Sequence, residues 1–132
     1  MVSVCSGDYR MSKRAIEGLV EDFFEVPIAL GSIANLEQAT SEAIAGPVEE
    51  VARAIRQQPV VHADETGWFE QSKRAWLWTA ICSGMALFLI RASRGATVAK
   101  ELLGAAFAGI LVSDRWSAYT WVDAARRSPT PA

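Results

Sequence analysis

From Ser12 to Phe24, apolar residues fall at Ile16, Leu19, Val20, Phe23 and Phe24, while Lys13, Arg14, Glu17, Glu21 and Asp22 lie largely off that stripe. Recurrence at three and four residues predicts an amphipathic helix. Pro27 ends it, and Ser32 can cap a second helix whose inner face carries Ile33, Leu36, Ala39 and Ile44. Gly46-Pro47 marks a break or kink, and Pro47 suits the first turn of a third helix holding Val48, Val51, Ala52 and Ile55.

After Pro59 the period changes from helical to extended. Val60 to Asp64 is predicted as a short strand, with Thr66-Gly67 turning the chain away from it. Ala75 to Cys82 alternates, placing Trp76, Trp78 and Ala80 on one face and Leu77, Thr79 and Ile81 on the other. Met85 to Arg91 returns as its antiparallel neighbour across Ser83-Gly84. Ala96 to Leu103 reads as a short helix closed by Gly104, and the run from Gly109 to Asp114 as a fourth strand. The expected class is α/β: strand, strand, strand, helix, strand behind a helical segment. Residues 1–57 form the helical lead-in, 58–125 the core and 126–132 a disordered tail.

The uncharged run from Ala75 to Ile90 has 16 residues. A spanning helix needs about 20, and Ser83-Gly84 interrupts the run, so a hairpin is expected and no membrane partner. A chain of 132 residues has room for one modest core, and a net charge of −2 counts against a strongly basic nucleic-acid binder while leaving room for a local basic surface. Cys5 and Cys82 with the single histidine His62 do not make a cysteine/histidine zinc site. Reduced thiols, no signal peptide and a cytoplasmic location are the expectation.

The segment VVHADETGW, residues 60–68, runs from apolar into acid. The fourth strand does the same, so Asp64 and Asp114 both stand at strand tips, fifty residues apart. A hairpin and a helix lie between them, the kind of crossover that lets two strands pair in parallel. Their carboxylates would then share one sheet edge and repel each other unless a cation sits between them. Hard oxygen ligands suit magnesium or manganese. Two such ions roughly 4 Å apart activate a water or hydroxyl and stabilise a leaving oxygen of a phosphodiester. The plainer alternative is two aspartates that merely start turns.

Glu65 alternates to the face opposite Asp64 and reads as a solvent-facing or supporting residue. His62 shares the Asp64 face, where it orients that acid, touches DNA, or is simply a satisfied and partly buried histidine. Trp76 and Trp78 suit sheet-face packing better than base stacking. Of the basic residues bracketing this edge, Arg115 is best placed for a phosphate contact and Arg94 second. The helices around Val26-Pro27 have a helix-turn-helix outline, but the second holds no Lys or Arg between Ser32 and Ile44. Packing or assembly is its better role.

The segments VVHADETGW, KRAWLWTAICSGMALFLIRASRG and ELLGAAFAGILVSDRWSAYTW, in this order, resemble the catalytic core of IS66-type insertion-sequence transposases. RAIEGLVEDFFEVPIALGSIANLEQ is similar to the helical segment that precedes that core. The resemblance implies a ribonuclease-H-like mixed sheet, a triad of two aspartates and a glutamate, and metal-dependent DNA cleavage and strand transfer. It places Asp64 as the first acid and Asp114 as the second, with magnesium or manganese as cofactor and transposon-end DNA as partner. A homo-oligomer or a full-length transposase is the protein partner it suggests. The third acid has no counterpart here, because only Asp123 follows Asp114. The expectation is therefore a truncated chain with an incomplete sheet, inactive alone. The alternative is a non-catalytic remnant that binds DNA or the full-length transposase.

Overall fold

The helical stripe and the extended alternation belong to separate compact units, Met1–Gly46 and Pro47–Ala132, in a computed structural model of the chain. Residues 1–70 and 72–129 are described.

The first unit holds α1 (Val2–Gly7), α2 (Lys13–Phe24) and the N-terminal part of α3 (Leu30–Arg56). The Ser12 hydroxyl caps α2 by accepting from the Ala15 amide at 3.2 Å. Glu25, at φ 55°, ends the helix in the left-handed region. Val2, Cys5, Ile16, Val20 and Ile33 make this unit's core. Helix α1 was not foreseen, since Val-Ser-Val-Cys contains weak helix formers; burial of Val2 and Cys5 outweighs that propensity.

Two expectations fail here. The break at Gly46-Pro47 is absent: α3 runs unbroken through Pro47 and begins at Leu30, before Ser32. Proline forfeits one backbone bond inside a helix but does not oblige it to end. Leu36 and Ile44 were expected inside and are exposed, as are Phe23 and Phe24. This small group of helices has too little packing surface to cover the full apolar stripes.

The second unit is a five-stranded mixed sheet of order β3-β2-β1-β4-β5. Strands β1 (Val60–Glu70), β2 (Lys73–Cys82) and β3 (Met85–Arg91) form an antiparallel meander. The turn between β2 and β3 uses Gly84 at φ 77°, a conformation that favours glycine. The crossover through α4 (Ala96–Leu103) delivers β4 (Ile110–Ser113) parallel to β1, and β5 (Arg127–Pro129) lies parallel to β4. Val61, Ala63, Trp78, Ala80, Leu87 and Leu111 pack one sheet face against α4 and the C-terminal part of α3. The other face leaves Val60, Ile81, Phe88 and Ile110 exposed beside His62 and Asp64.

Strand β1 does not stop at Asp64. Thr66 and Gly67 stay in the ladder opposite Leu77 and Trp76. Thr66, Trp68 and Phe69 favour extended backbone, and with β2 alongside a single glycine weakens the strand without ending it. The tail assigned to 126–132 is also corrected as far as it is described. Arg127–Pro129 form β5, led in by a 3-10 turn, Ala124–Arg126, in which the Ala125 amide donates to the Asp123 side chain at 2.9 Å. The Arg126 guanidinium donates to the Phe107 carbonyl at 3.1 Å and pins the return. Strand β5 thus covers an edge of β4 that would otherwise present unpaired backbone groups. Residues 130–132 lie outside the described residues. Among the described residues no helix is long and apolar enough to cross a membrane.

Candidate functional site

The β1–β4 ladder pairs Val60 with Ile110, Val61 with Leu111 and His62 with Val112. The pairing ends at His62 and Val112, each two residues before an aspartate, Asp64 in β1 and Asp114 just past β4. Both side chains are exposed. Asp64 lies within β1, opposite Thr79, whose hydroxyl donates to the Asp64 carbonyl at 3.2 Å. It starts no turn. Asp114 does, because its Oδ1 accepts from the Trp116 amide at 3.0 Å.

A hollow of about 140 Å³ lies beside Asp64, lined by His62, Thr79, Ile81 and Val112 among others. A wider cleft of about 420 Å³ runs past the ends of β4 and β5, lined by Ser113, Asp114, Arg115, Arg127 and Ser128 among others. Arg115 and Arg127 are both exposed there. Carboxylate and guanidinium therefore share one wall, a combination suited to a phosphodiester only if something positive offsets the acid.

Behind the two aspartates the strand alternation sends Glu65 into the packed face, where its side chain is fully enclosed. Of the two roles read from the sequence, the solvent-facing one is therefore wrong. The Arg94 guanidinium meets Glu65 Oε1 through Nε at 3.0 Å and Nη2 at 2.9 Å. The Tyr119 hydroxyl donates to Oε2 at 2.6 Å. Arg94 also lies between two indoles, 4.6 Å from the Trp76 ring centroid and 4.0 Å from that of Trp116. The Trp116 indole N–H returns to the Arg94 carbonyl at 3.1 Å. From this position Arg94 Nη2 stands 4.0 Å from Asp114 Oδ2.

Burial pushes the Glu65 carboxyl above its ordinary range, and the donors Tyr119 and Arg94 oppose the shift. Burial also raises the Tyr119 phenol, helped by its hydrogen bond to Glu65 and by the charges of Glu65, Asp114 and Asp64.

As a donor set, Asp64 and Asp114 offer hard oxygens. Magnesium commonly takes one or two carboxylates and completes its shell with water and phosphate oxygens. Two aspartates fit that habit, although no group of three His, Cys, Asp or Glu gathers among the described residues. Arg94, expected to face phosphate, is occupied by Glu65 and the two indoles. Trp78 is wholly buried, in a T-shaped pair with Tyr119 whose ring centroids lie 6.2 Å apart, and its indole N–H donates to the Ser93 carbonyl at 3.1 Å.

Sequence reasoning missed Tyr119, Trp116 and Arg127. The first two stand three apart in the segment Trp-Ser-Ala-Tyr, a spacing compatible with one turn facing one site; Arg127 was lost by reading its segment as tail. The sequence model of the Transposase IS66 family matches residues 9–130. No curated protein and no solved structure matches the chain.

Proposed function

Since this chain belongs to the Transposase IS66 family, we propose that its second unit is the part of a transposase that brings a divalent cation to a DNA phosphodiester. The sheet is read as ribonuclease-H-like on the strength of its order, with an antiparallel meander flanked by parallel strands. Asp64 and Asp114 are the carboxylates that hold magnesium or manganese. The observation that carries the proposal is the parallel β1–β4 pairing through His62 and Val112, each two residues before one of these aspartates. A cation bound there polarises the scissile phosphate and lowers the pKa of an attacking oxygen.

The chain's own residues do the rest. Asp64 is fixed by the β1–β2 ladder and Asp114 by its bond to the Trp116 amide. Arg115 and Arg127 line the cleft beside Asp114 and meet backbone phosphates of transposon-end DNA. Asp123, the only acid after Asp114, is engaged in capping a 3-10 turn. With two acids rather than three, the chain alone binds cation and DNA without cleaving.

Calorimetry with Mn²⁺ and a nicking assay on end-containing DNA test this together. Saturable binding that disappears in Asp64→Asn and in Asp114→Asn, without nicking, is the expected result. Binding indifferent to both substitutions overturns the cation site. Nicking by the wild-type chain that both substitutions abolish overturns the statement that two acids are too few.

A further inference from the structure

We propose that Glu65 is a positioning residue that keeps Arg94 away from Asp114, leaving that aspartate free to accept a cation. The inference rests on reading Asp114 as a cation ligand and adds the residue that protects it.

The distances decide the direction. Arg94 contacts Glu65 at 2.9 and 3.0 Å, whereas its Nη2 stands 4.0 Å from Asp114 Oδ2. A guanidinium this close to an exposed carboxylate would ordinarily pair with it and compete with any metal. The same Nη2 faces both carboxylates, but Glu65 is completely enclosed, and a buried carboxylate is costly unless paired and hydrogen-bonded. It therefore holds the cation more firmly than the solvated Asp114 does. Tyr119 fixes the second Glu65 oxygen at 2.6 Å, and the Trp76 and Trp116 rings sandwich the guanidinium. Trp116 joins the two halves: its amide orients Asp114 and its indole N–H holds the Arg94 backbone. Glu65 sits next to Asp64 in sequence but faces the opposite side of β1, so it governs the far ligand rather than its neighbour.

The test is a rescue. Glu65→Gln removes the charge that retains Arg94, so Arg94 turns to Asp114 and Mn²⁺ affinity falls by about 10- to 100-fold, the usual range for losing support behind a metal ligand. Adding Arg94→Gln to that variant removes the competitor and restores affinity. A merely structural role for the pair predicts that the double variant binds as weakly as the single one or worse, and that result overturns the proposal. Should Glu65→Gln fail to fold, Arg94→Gln alone decides: unchanged or tighter Mn²⁺ binding supports sequestration, and weaker binding shows that Arg94 helps Asp114 instead. A crystal structure of metal-free Glu65→Gln separates this idea from the cation site itself. Arg94 within hydrogen-bond distance of Asp114 supports sequestration even if the wild-type chain binds no Mn²⁺, a failure that would fall on the cation site alone. Arg94 unmoved between its two indoles overturns it.

Discussion

Tyr119→Phe removes the hydroxyl that satisfies Glu65 Oε2 inside the packed face. A buried acceptor left without its donor costs about 1–3 kcal/mol, and the loss here should depend on pH. Glu65 binds its proton more tightly folded than unfolded, where its pKa is near 4.5. Its contribution to stability is therefore fully present below that value and is lost as pH rises through the folded one. Protonated Glu65 brings its own donor, whereas ionised Glu65 needs that of Tyr119. Urea denaturation of Tyr119→Phe against wild type should show a larger deficit at pH 7 than at pH 4; an equal deficit would mean that Glu65 does not titrate between them. Asp64 and Asp114 stood out in the sequence because each closes an apolar run. The partners of Glu65 were not. Alternation separates Glu65 from Asp64, but it does not say which face the helices cover, and Arg94 and Tyr119 lie 29 and 54 residues away.

At the level of elements, the β2–β3 hairpin was read nearly to the residue because its alternation and turn chemistry agree. Disagreement between local signals explains the failures: Gly67 argued against a strand that its neighbours favoured, and Pro47 argued against a helix that continues. Two substitutions probe such joints. A Cβ at Gly109 would stand 2.4 Å from the Gln58 carbonyl oxygen, 2.8 Å from the Phe107 ring and 3.0 Å from the Pro59 carbonyl oxygen. This is the point where the Ile110 amide binds Pro59 O at 2.8 Å and sets the β1–β4 register. Gly109→Ala should lower stability by about 1–3 kcal/mol, the usual range for overpacking, and calorimetric unfolding measures it. Pro47→Ala should act the other way. It restores an amide donor inside α3, where proline is disfavoured by roughly 3 kcal/mol relative to alanine, so a rise of about 1–3 kcal/mol in unfolding free energy is expected. A fall would show that the apolar hollow Pro47 shares with Val48, Val51 and Phe88 matters more than the missing bond.

At the scale of the molecule, the two hydrophobic clusters share no residue among the described residues. The sequence put its boundary near Pro59, where the period changes, because periodicity registers the kind of element and not what it packs against. The compact units divide at Gly46, inside α3, since Ala52 and Ile55 of that helix belong to the core of the sheet. The sheet unit should therefore need the C-terminal part of α3 and not the residues before it. A fragment of residues 47–132 keeps both sides of its packed face, and the Glu65, Arg94 and Tyr119 cluster lies entirely within it. It should retain strand signal in circular dichroism and slow amide exchange in β1 and β2. A fragment of residues 58–132 exposes the sheet surface that Ala52 and Ile55 cover and should lose that protection. A fragment of residues 1–46, below or near the size at which a chain sustains a core without help, should be largely unfolded. Equal protection in the two longer fragments would mean that the end of α3 contributes nothing to the sheet. Collapse of both would mean that the first unit, despite its separate core, is required for the second.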